Sequence, residues 1–322
     1  MTRRVAGASA LSAQPRSTLV VIGNFDGVHA GHRAVLETSV REAEALSLMP
    51  VALTFDPHPS EVLGRGKLPV LTRLERKIEL IGRACPAVTV VVEPFTEELA
   101  ALEAEVFVER LLVGALGARL VLVGENFRFG RGRKGDLALL QKLGGELGFE
   151  ARAETLRGDA EGPYSSSRVR AALAQGELSE VERLLGRPHA ISGEVVPGAG
   201  RGRTIGVPTA NLGRVSEALP PYGVYACVVD RIDGGSARAL GKAAVNVGDR
   251  PTVSGGFSIE AHVFDFSGEL YGAELRFHFL ARLRDERRFA DLDALRAQIE
   301  RDFAEARRLL DPCVPTAGAA YY

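Results

Sequence analysis

The chain changes texture at about Gly186, and that change decides how many folds it must contain. Before it, short apolar runs such as Thr18-Leu19-Val20-Val21-Ile22, Val51-Ala52-Leu53-Thr54-Phe55, Val88-Thr89-Val90-Val91-Val92 and Leu120-Val121-Leu122-Val123 alternate with helix-spaced stretches. Such alternation predicts a parallel α/β sheet. Beyond Gly186 glycine and proline become denser and the period shortens towards two, over 223–229, 243–247, 259–266 and 275–279. Short strands with little helix predict a small barrel. Leu292, Leu295, Ile299, Phe303, Ala306 and Leu310 then describe one amphipathic helix lying on it. The expected fold class is α/β plus β. A Rossmann-like domain with a parallel sheet spans 18–186, and a small β-barrel with a C-terminal helix spans 187–312. A disordered extension occupies 1–17 and a tail 313–322.

A chain of 322 residues suits two domains. Its net charge of −1, with 25% charged residues, gives no reason to expect nucleic acid or a membrane surface as partner, so any phosphate binding is local. No apolar stretch approaches the length of a membrane span. The first 17 residues lack the continuous apolar segment of a secretory signal. Cys85, Cys227 and Cys313 are odd in number and widely separated, which supports neither a disulfide framework nor a CxxC metal site. The expected compartment is the cytoplasm.

The run Gly23-Asn24-Phe25-Asp26-Gly27-Val28-His29-Ala30-Gly31-His32 stands between the first apolar strand and a helix. Glycines there let backbone approach a phosphate, and a helix start favours anions through its unpaired N–H groups and dipole. His29 and His32, three apart, fall on one helical face and point at one spot. Imidazoles so placed can donate to a phosphorus-bound oxygen as its charge grows. The bland alternative is a satisfied core pair; the flanking glycines and the strand-to-helix position favour catalysis. Asp56-Pro57-His58-Pro59 and Gly124-Glu125-Asn126-Phe127-Arg128-Phe129-Gly130 also follow strands, where parallel sheets bind ligands.

Near the end of this region Tyr164-Ser165-Ser166-Ser167-Arg168-Val169-Arg170 precedes a helical stretch. Ser165 or Ser166 serves there as a helix cap, or the hydroxyls and a guanidinium clamp a phosphate chain. Arg168 and Arg170 face different ways, and Arg170, one turn beyond Ser166 and Ser167, is better placed for the clamp. The segment Gly198-Ala199-Gly200-Arg201-Gly202-Arg203-Thr204-Ile205-Gly206 reads as a glycine-rich phosphate loop rather than a nucleic-acid arm, having no interleaved aromatics. Thr209 and Asn211 share one side of an extended segment; Mg²⁺ ligation and turn chemistry after Pro208 explain them equally well. Glu260, on one face with His262 and Phe264, is a carboxylate expected on the inner face of a barrel strand, costly there unless paired or used. It is suited to act as a general base towards an alcohol. His262 reads as a packing residue.

These motifs together resemble the bifunctional bacterial riboflavin kinase/FMN adenylyltransferase family, or FAD synthetase, over residues 18 to 311. The likeness also rests on Pro208-Thr209-Ala210-Asn211, Asn246-Val247-Gly248-Asp249-Arg250-Pro251-Thr252 and Asp265-Phe266-Ser267-Gly268-Glu269-Leu270-Tyr271-Gly272. It implies small-molecule substrates, with riboflavin phosphorylated by ATP to FMN, and FMN then adenylylated by ATP to FAD. His29 and His32 would bind ATP phosphates and stabilise the developing charge, with Gly23, Phe25 and Asp26 contributing to the same loop's contacts. Ser166, Ser167 and Arg170 would form a second clamp, and His58, Asn126 and Phe55 would surround the nucleotides. In the barrel, Thr209 and Asn211 would hold Mg²⁺ with ATP beside Gly200, and Glu260 would take the proton of the riboflavin 5′-hydroxyl. The chain departs from the family's habit at Ser167, often threonine, at Pro197, often histidine, and at Val207, often phenylalanine. These changes bear on loop packing or ATP affinity rather than on the reaction. A flavin-binding regulatory protein with reduced catalysis is the alternative, opposed by the joint presence of the named residues. A nucleotidylyltransferase for another phosphorylated small molecule would leave the barrel idle.

Overall fold

The computed structural model describes residues 3–11, 17–64, 69–154, 157–198, 209–249, 257–315 and 318–322. They pack as two compact units, Met1–Ser166 and Ser167–Tyr322.

In the first unit β1 (Arg3–Ala6), β2 (Thr18–Ile22), β3 (Met49–Asp56), β4 (Thr89–Pro94), β5 (Ala118–Gly124) and β6 (Glu150–Glu154) form one sheet in the order β1-β4-β3-β2-β5-β6. Every neighbouring pair is parallel, as the alternation predicts. Strand β2 is buried along its whole length. Val20 and Ile22 join Leu53, Phe107 and Leu112 in one core, while Leu19 and Val21 join Leu36 and Ile81 in another. A strand covered on both faces has no polar side, hence its continuous apolar sequence. Helices α1 (Ala30–Ala45) and α3 (Leu74–Ala84) supply the second core, with the short α2 (Pro59–Val62) between them in the chain. Beyond β4 come α4 (Glu97–Ala100) and α5 (Ala104–Phe107); the latter runs on as a π-helical segment, Val108–Ala115, which with α6 (Leu137–Leu147) supplies the first core. A two-stranded ladder of β7 (Gly158–Asp159) and β8 (Gly162–Pro163) follows β6. The chain steps from β2 to β3 to β4, then returns to place β5 on the other side of β2. The ends of β2 and β5 therefore flank the switch point where such sheets open a crevice.

The expectation of disorder over residues 1–17 is corrected for the part described. Arg3–Ala6 adds an edge strand beside β4, Arg3 opposite Thr89, and Ala8 and Leu11 of the following 3-10 turn are buried in the core. Only scattered apolar residues mark this segment, too few to show a strand period.

The second unit opens with α7, whose helix runs Ser166–Gln175, and α8 (Leu178–Leu185), which packs against β9 (His189–Val196) and β14 (Glu274–Asp285). Packing thus places the boundary between Ser166 and Ser167, earlier than the change of texture at Gly186. With β10 (Ala210–Gly213), β11 (Gly223–Asp233), β12 (Ser236–Asp249) and β13 (Phe257–Val263), these strands close an antiparallel barrel in the order β10-β13-β12-β11-β14-β9. Tyr225, Phe277 and Phe279 are among its largest fully buried side chains, and the Tyr225 hydroxyl donates to Pro221 O. Outside, Ala306 and Leu310 of α9 (Leu292–Leu310) pack with Ala226, Val228 and Ala244. Arg284 Nε, within 3.1 and 2.9 Å of the two Asp302 carboxylate oxygens, fixes that helix to β14. Tyr321 and Tyr322 of the C-terminal tail pack on the same outer cluster, and the Tyr321 N–H donates to Asp230 Oδ1 at 3.0 Å.

Candidate active sites

Between β2 and α1 the backbone takes left-handed conformations at Phe25 (φ 49°), Gly27 (φ 84°) and Val28 (φ 40°). A β-branched residue seldom adopts this region, so the bend must be held from outside. Asp26 does so: its carboxylate accepts the Leu71 N–H at 2.9 and 3.0 Å and the Thr72 N–H at 3.0 Å, while Gly27 N–H donates to Thr72 Oγ1 at 3.1 Å. Ser166 Oγ donates to Asp26 O at 2.8 Å, closing the loop from the other side. Phe25 is buried in the core, its ring edge-on to His32 at 5.3 Å between centroids. Its backbone folds back because position 23 is glycine; a Cβ there would lie 3.2 Å from the Phe25 ring. Burial of the Phe25 ring and the backbone donors on the Asp26 carboxylate thus serve to build the loop.

The loop delivers His29 to the N-cap of α1, where its Nδ1 accepts the His32 N–H at 3.3 Å. An Nδ1 that accepts places the proton of the neutral ring on Nε2. His32 stacks on His29, centroids 3.6 Å apart and planes inclined by 22°. The pair is one stacked unit at a helix start, as the spacing implies. Gly31 makes room for it, since a Cβ at that position would stand 3.2 Å from two atoms of the His29 ring and 3.3 Å from Tyr164 O. His58 repeats the device at α2: its Nδ1 accepts the Ser60 N–H at 3.2 Å and lies 2.7 Å from Ser60 Oγ.

A cavity of about 380 Å³ opens where β2, β3, β4 and β5 end, lined by Gly23, Phe55, His58, Asn126, Phe127 and Phe129 among others. Its walls are aromatic: Phe55 meets Phe95 edge-on at 5.6 Å and Phe127 stacks on Phe129 at 5.5 Å. Apolar walls with a few convergent polar groups suit a planar ring system carrying polar substituents. Four of the sequence-predicted site residues, Gly23, Phe55, His58 and Asn126, are thus brought to one cavity.

On α7, Arg168 is engaged by Glu180 of α8 at 3.1 Å. Hydrogen bonds from Arg183, and then from Arg168, hold the Glu180 carboxyl below its ordinary range against its desolvation. Ser167 lies exposed on the first turn of this helix, with Arg170 three residues on.

In the barrel, Asn211 of β10 stands opposite Glu260 of β13, and Glu260 stands opposite Asn246 of β12. Directly paired residues point the same way, so the three side chains form a row across three strands. Two residues along from Glu260, His262 stacks on Phe303 of α9 with centroids 4.5 Å apart. Residues two apart on a strand share a face, so Glu260 lies on the outside of the barrel, and the inner-face expectation is corrected. The intervening Ile259 and Ala261 are fully buried and take the inward positions. Thr209, two residues before Asn211, adjoins the row. Gly198 lies against Asn211, where a Cβ would collide with the Asn211 side-chain amide. Gly200 and Val207 lie outside the described residues. Asn246 and Glu286 are additions: the Glu286 carboxylate lies 2.6 Å, and the Asn246 amide nitrogen 3.2 Å, from where a Cβ on Gly248 would be. The signal for Asn246 was its motif; its neighbourhood with Glu260 needs the strand register. No group of three His, Cys, Asp or Glu among the described residues is arranged to hold a metal ion. Any cation at the barrel would rely on neutral oxygens with Glu260.

Fold and site define a doubly wound α/β sheet and a six-stranded antiparallel barrel in one chain. Residues 11–168 match the FAD synthetase family and residues 185–310 the riboflavin kinase family. The chain is 42% identical over 306 residues to the bifunctional riboflavin kinase/FMN adenylyltransferase of Escherichia coli strain K12, covering 94% of this chain and 96% of that one. It is 37% identical over 306 residues to the protein of the same name from Bacillus subtilis strain 168, covering 92% and 94%. A crystal structure described as a macrolide-efflux protein from Streptococcus pneumoniae superposes with a TM-score of 0.79 at 29% identity, covering 95% of this chain and 98% of that one. The chain belongs to the bifunctional riboflavin kinase/FMN adenylyltransferase family.

Proposed function

We propose that this chain phosphorylates riboflavin with ATP to give FMN and transfers AMP from a second ATP to FMN, giving FAD and pyrophosphate. The observation that carries the reading is that each unit matches one of the two activities' families and holds its own cluster of polar side chains. Adenylyl transfer is assigned to 18–186, together with the N-terminal strand, and phosphorylation to 187–312.

In adenylyl transfer an FMN phosphate oxygen attacks the α-phosphorus of ATP, the α–β bridging bond breaks and pyrophosphate leaves. The Nε2–H of His29, with His32 stacked beside it, donates to phosphate oxygens whose charge rises in that step; preorganised donors of this kind give about 10²–10³ in rate. Backbone at Gly23 admits the nucleotide closely, Phe25 and Asp26 hold the loop's shape, and Ser166, Ser167 and Arg170 form the second clamp. Phe55 and Asn126 border the cavity that takes the planar ring, with His58 at its rim.

In phosphorylation Glu260 accepts the proton of the riboflavin 5′-hydroxyl as that oxygen bonds to the γ-phosphorus and ADP departs. Such transfer depends chiefly on positioning and charge neutralisation. Thr209 and Asn211 offer neutral oxygens beside a single carboxylate, a donor set that fits Mg²⁺ shared with nucleotide phosphates. When bound, Mg²⁺ neutralises phosphate charge there. Gly200 belongs with this ATP loop.

The partners are small molecules and the compartment is the cytoplasm. In support, the net charge is −1, no described helix is long and apolar enough to cross a membrane, and the three cysteines are free. Incubation of purified protein with riboflavin, ATP and Mg²⁺ is expected to yield FMN, then FAD. Formation of neither product with oxidised or with reduced flavin would refute the assignment.

A further inference from the structure

Helix α9 grips the end of β13 side chain by side chain. The His262 ring lies flat on Phe303, centroids 4.5 Å apart and planes inclined by 10°, and Phe264 meets both rings edge-on, at 5.7 and 5.3 Å. One helical turn beyond Phe303, the Arg307 guanidinium stands 4.5 Å from the centre of the Phe264 ring and donates to both oxygens of the Asp265 carboxylate, at 2.7 and 2.9 Å. An exposed ion pair of that kind contributes little by itself. The rings do more, because aromatic neighbours at these separations settle into stacked or edge-on geometries, and three in mutual contact fix one another's planes.

His262 is two residues from Glu260 on the same face of β13. Its partner across β12 is Ala244, which joins Ala306 and Leu310 in the cluster under α9, whereas the partner of Glu260 is Asn246. The helix-covered patch therefore ends between His262 and Glu260: one cross-strand pair lies beneath α9 and the next is the polar row. On its other side Glu260 has little backbone support, since among the described residues β10 pairs with β13 only at Ala210–Ala261 and Asn211–Glu260. The same row continues from Asn246 to Val224 and on to Arg284, whose Nε lies within 3.1 and 2.9 Å of the Asp302 carboxylate oxygens. Two successive residues of α9, Asp302 and Phe303, thus hold the row at its far end and beside its carboxylate.

We propose that His262 is a positioning residue for phosphoryl transfer: stacked on Phe303, it fixes where β13 presents Glu260 against Asn211 and Asn246. The role belongs to the flat ring rather than to its nitrogens. This rests on the phosphorylation reading of the second unit. A general base must lie within hydrogen-bond reach of the hydroxyl it serves, and misplacement by about 1 Å can cost on the order of 10²-fold.

The test uses the full chain with His262→Ala, His262→Phe, Phe303→Ala and the His262→Ala/Phe303→Ala double variant, measuring FMN formation from riboflavin and FAD formation from supplied FMN in each. His262→Ala is expected to lower kcat for FMN formation roughly 10-fold, with KM for ATP and for riboflavin little changed and FAD formation intact. His262→Phe, which keeps the stack and loses both nitrogens, should recover most of the loss. Phe303→Ala should reduce kcat in the same direction, and the double variant should be no slower than the slower single one. A kcat for His262→Ala within about twofold of the parent, a loss carried by KM alone, no recovery in His262→Phe, or losses that multiply in the double variant would each overturn the proposal. Should the alanine variants not fold, Phe303→Leu decides, because it keeps apolar bulk without the flat stack: a lowered kcat supports the role and an unchanged one refutes it. Absence of FMN formation by the parent protein would instead defeat the phosphorylation reading itself.

Discussion

Replacing Asp26 by alanine separates a carboxylate that builds a loop from one that touches nucleotide. In the parent protein the side chain is 3% exposed and accepts the Leu71 and Thr72 N–H groups at 2.9 to 3.0 Å. Alanine strands two buried donors at about 1–3 kcal/mol each, so the first unit should lose roughly 2–6 kcal/mol. Set against a typical domain stability of about 5–15 kcal/mol, that is a large fraction. Asparagine keeps an accepting oxygen and loses only the charge assistance, for a cost of about 1–2 kcal/mol. Amide hydrogen exchange at Leu71 and Thr72 reads the effect directly, because each ~1.4 kcal/mol of lost protection raises exchange tenfold. The expected order of protection is parent, Asp26→Asn, Asp26→Ala, with FAD formation falling in the same order and FMN formation from riboflavin holding. Protection unchanged in Asp26→Ala while FAD formation collapses would refute the loop-building role and return the carboxylate to the ligand.

Two further outcomes bear on the separate stations. Glu260→Gln should lower FMN formation on the order of 10²–10⁴-fold while supplied FMN is still adenylylated, and His32→Ala should do the reverse; loss of both reactions in either folded variant would contradict two sites. Gly31→Ala places a methyl 3.2 Å from two His29 ring atoms. The ring must move by a few tenths of an ångström, and steady-state assays should show roughly a tenfold drop in kcat for FAD formation with little change in the thermal melt.

What the chain reveals before folding depends on the range over which each feature is decided. The histidine pair is local: spacing of three and the glycines around it suffice to place both rings on the first turn of α1, and Nδ1 of His29 capping His32 completes the arrangement within four residues. The two-unit architecture is legible for a similar reason, each strand period being a property of a few neighbouring residues. The face of Glu260 is not. Period two says that Glu260 and His262 lie together but not which side is inward; that follows from α9 laying Phe303 on His262, and the row with Asn211 follows from β10 pairing with the distant β13 as well as with β9. Strand β1 escaped notice because its hydrogen bonds go to β4, far along the chain, while its own residues alternate weakly. Lys77 is the sharpest instance. Within Leu74–Ala84 its charge alone gives no sign of burial, yet the folded helix leaves Lys77 about 6% exposed. The loop before α1 is thus announced by residues close in sequence, whereas the donors that hold its bend, Leu71 and Thr72 on the Asp26 carboxylate, lie some 45 residues away and are brought there only by the fold.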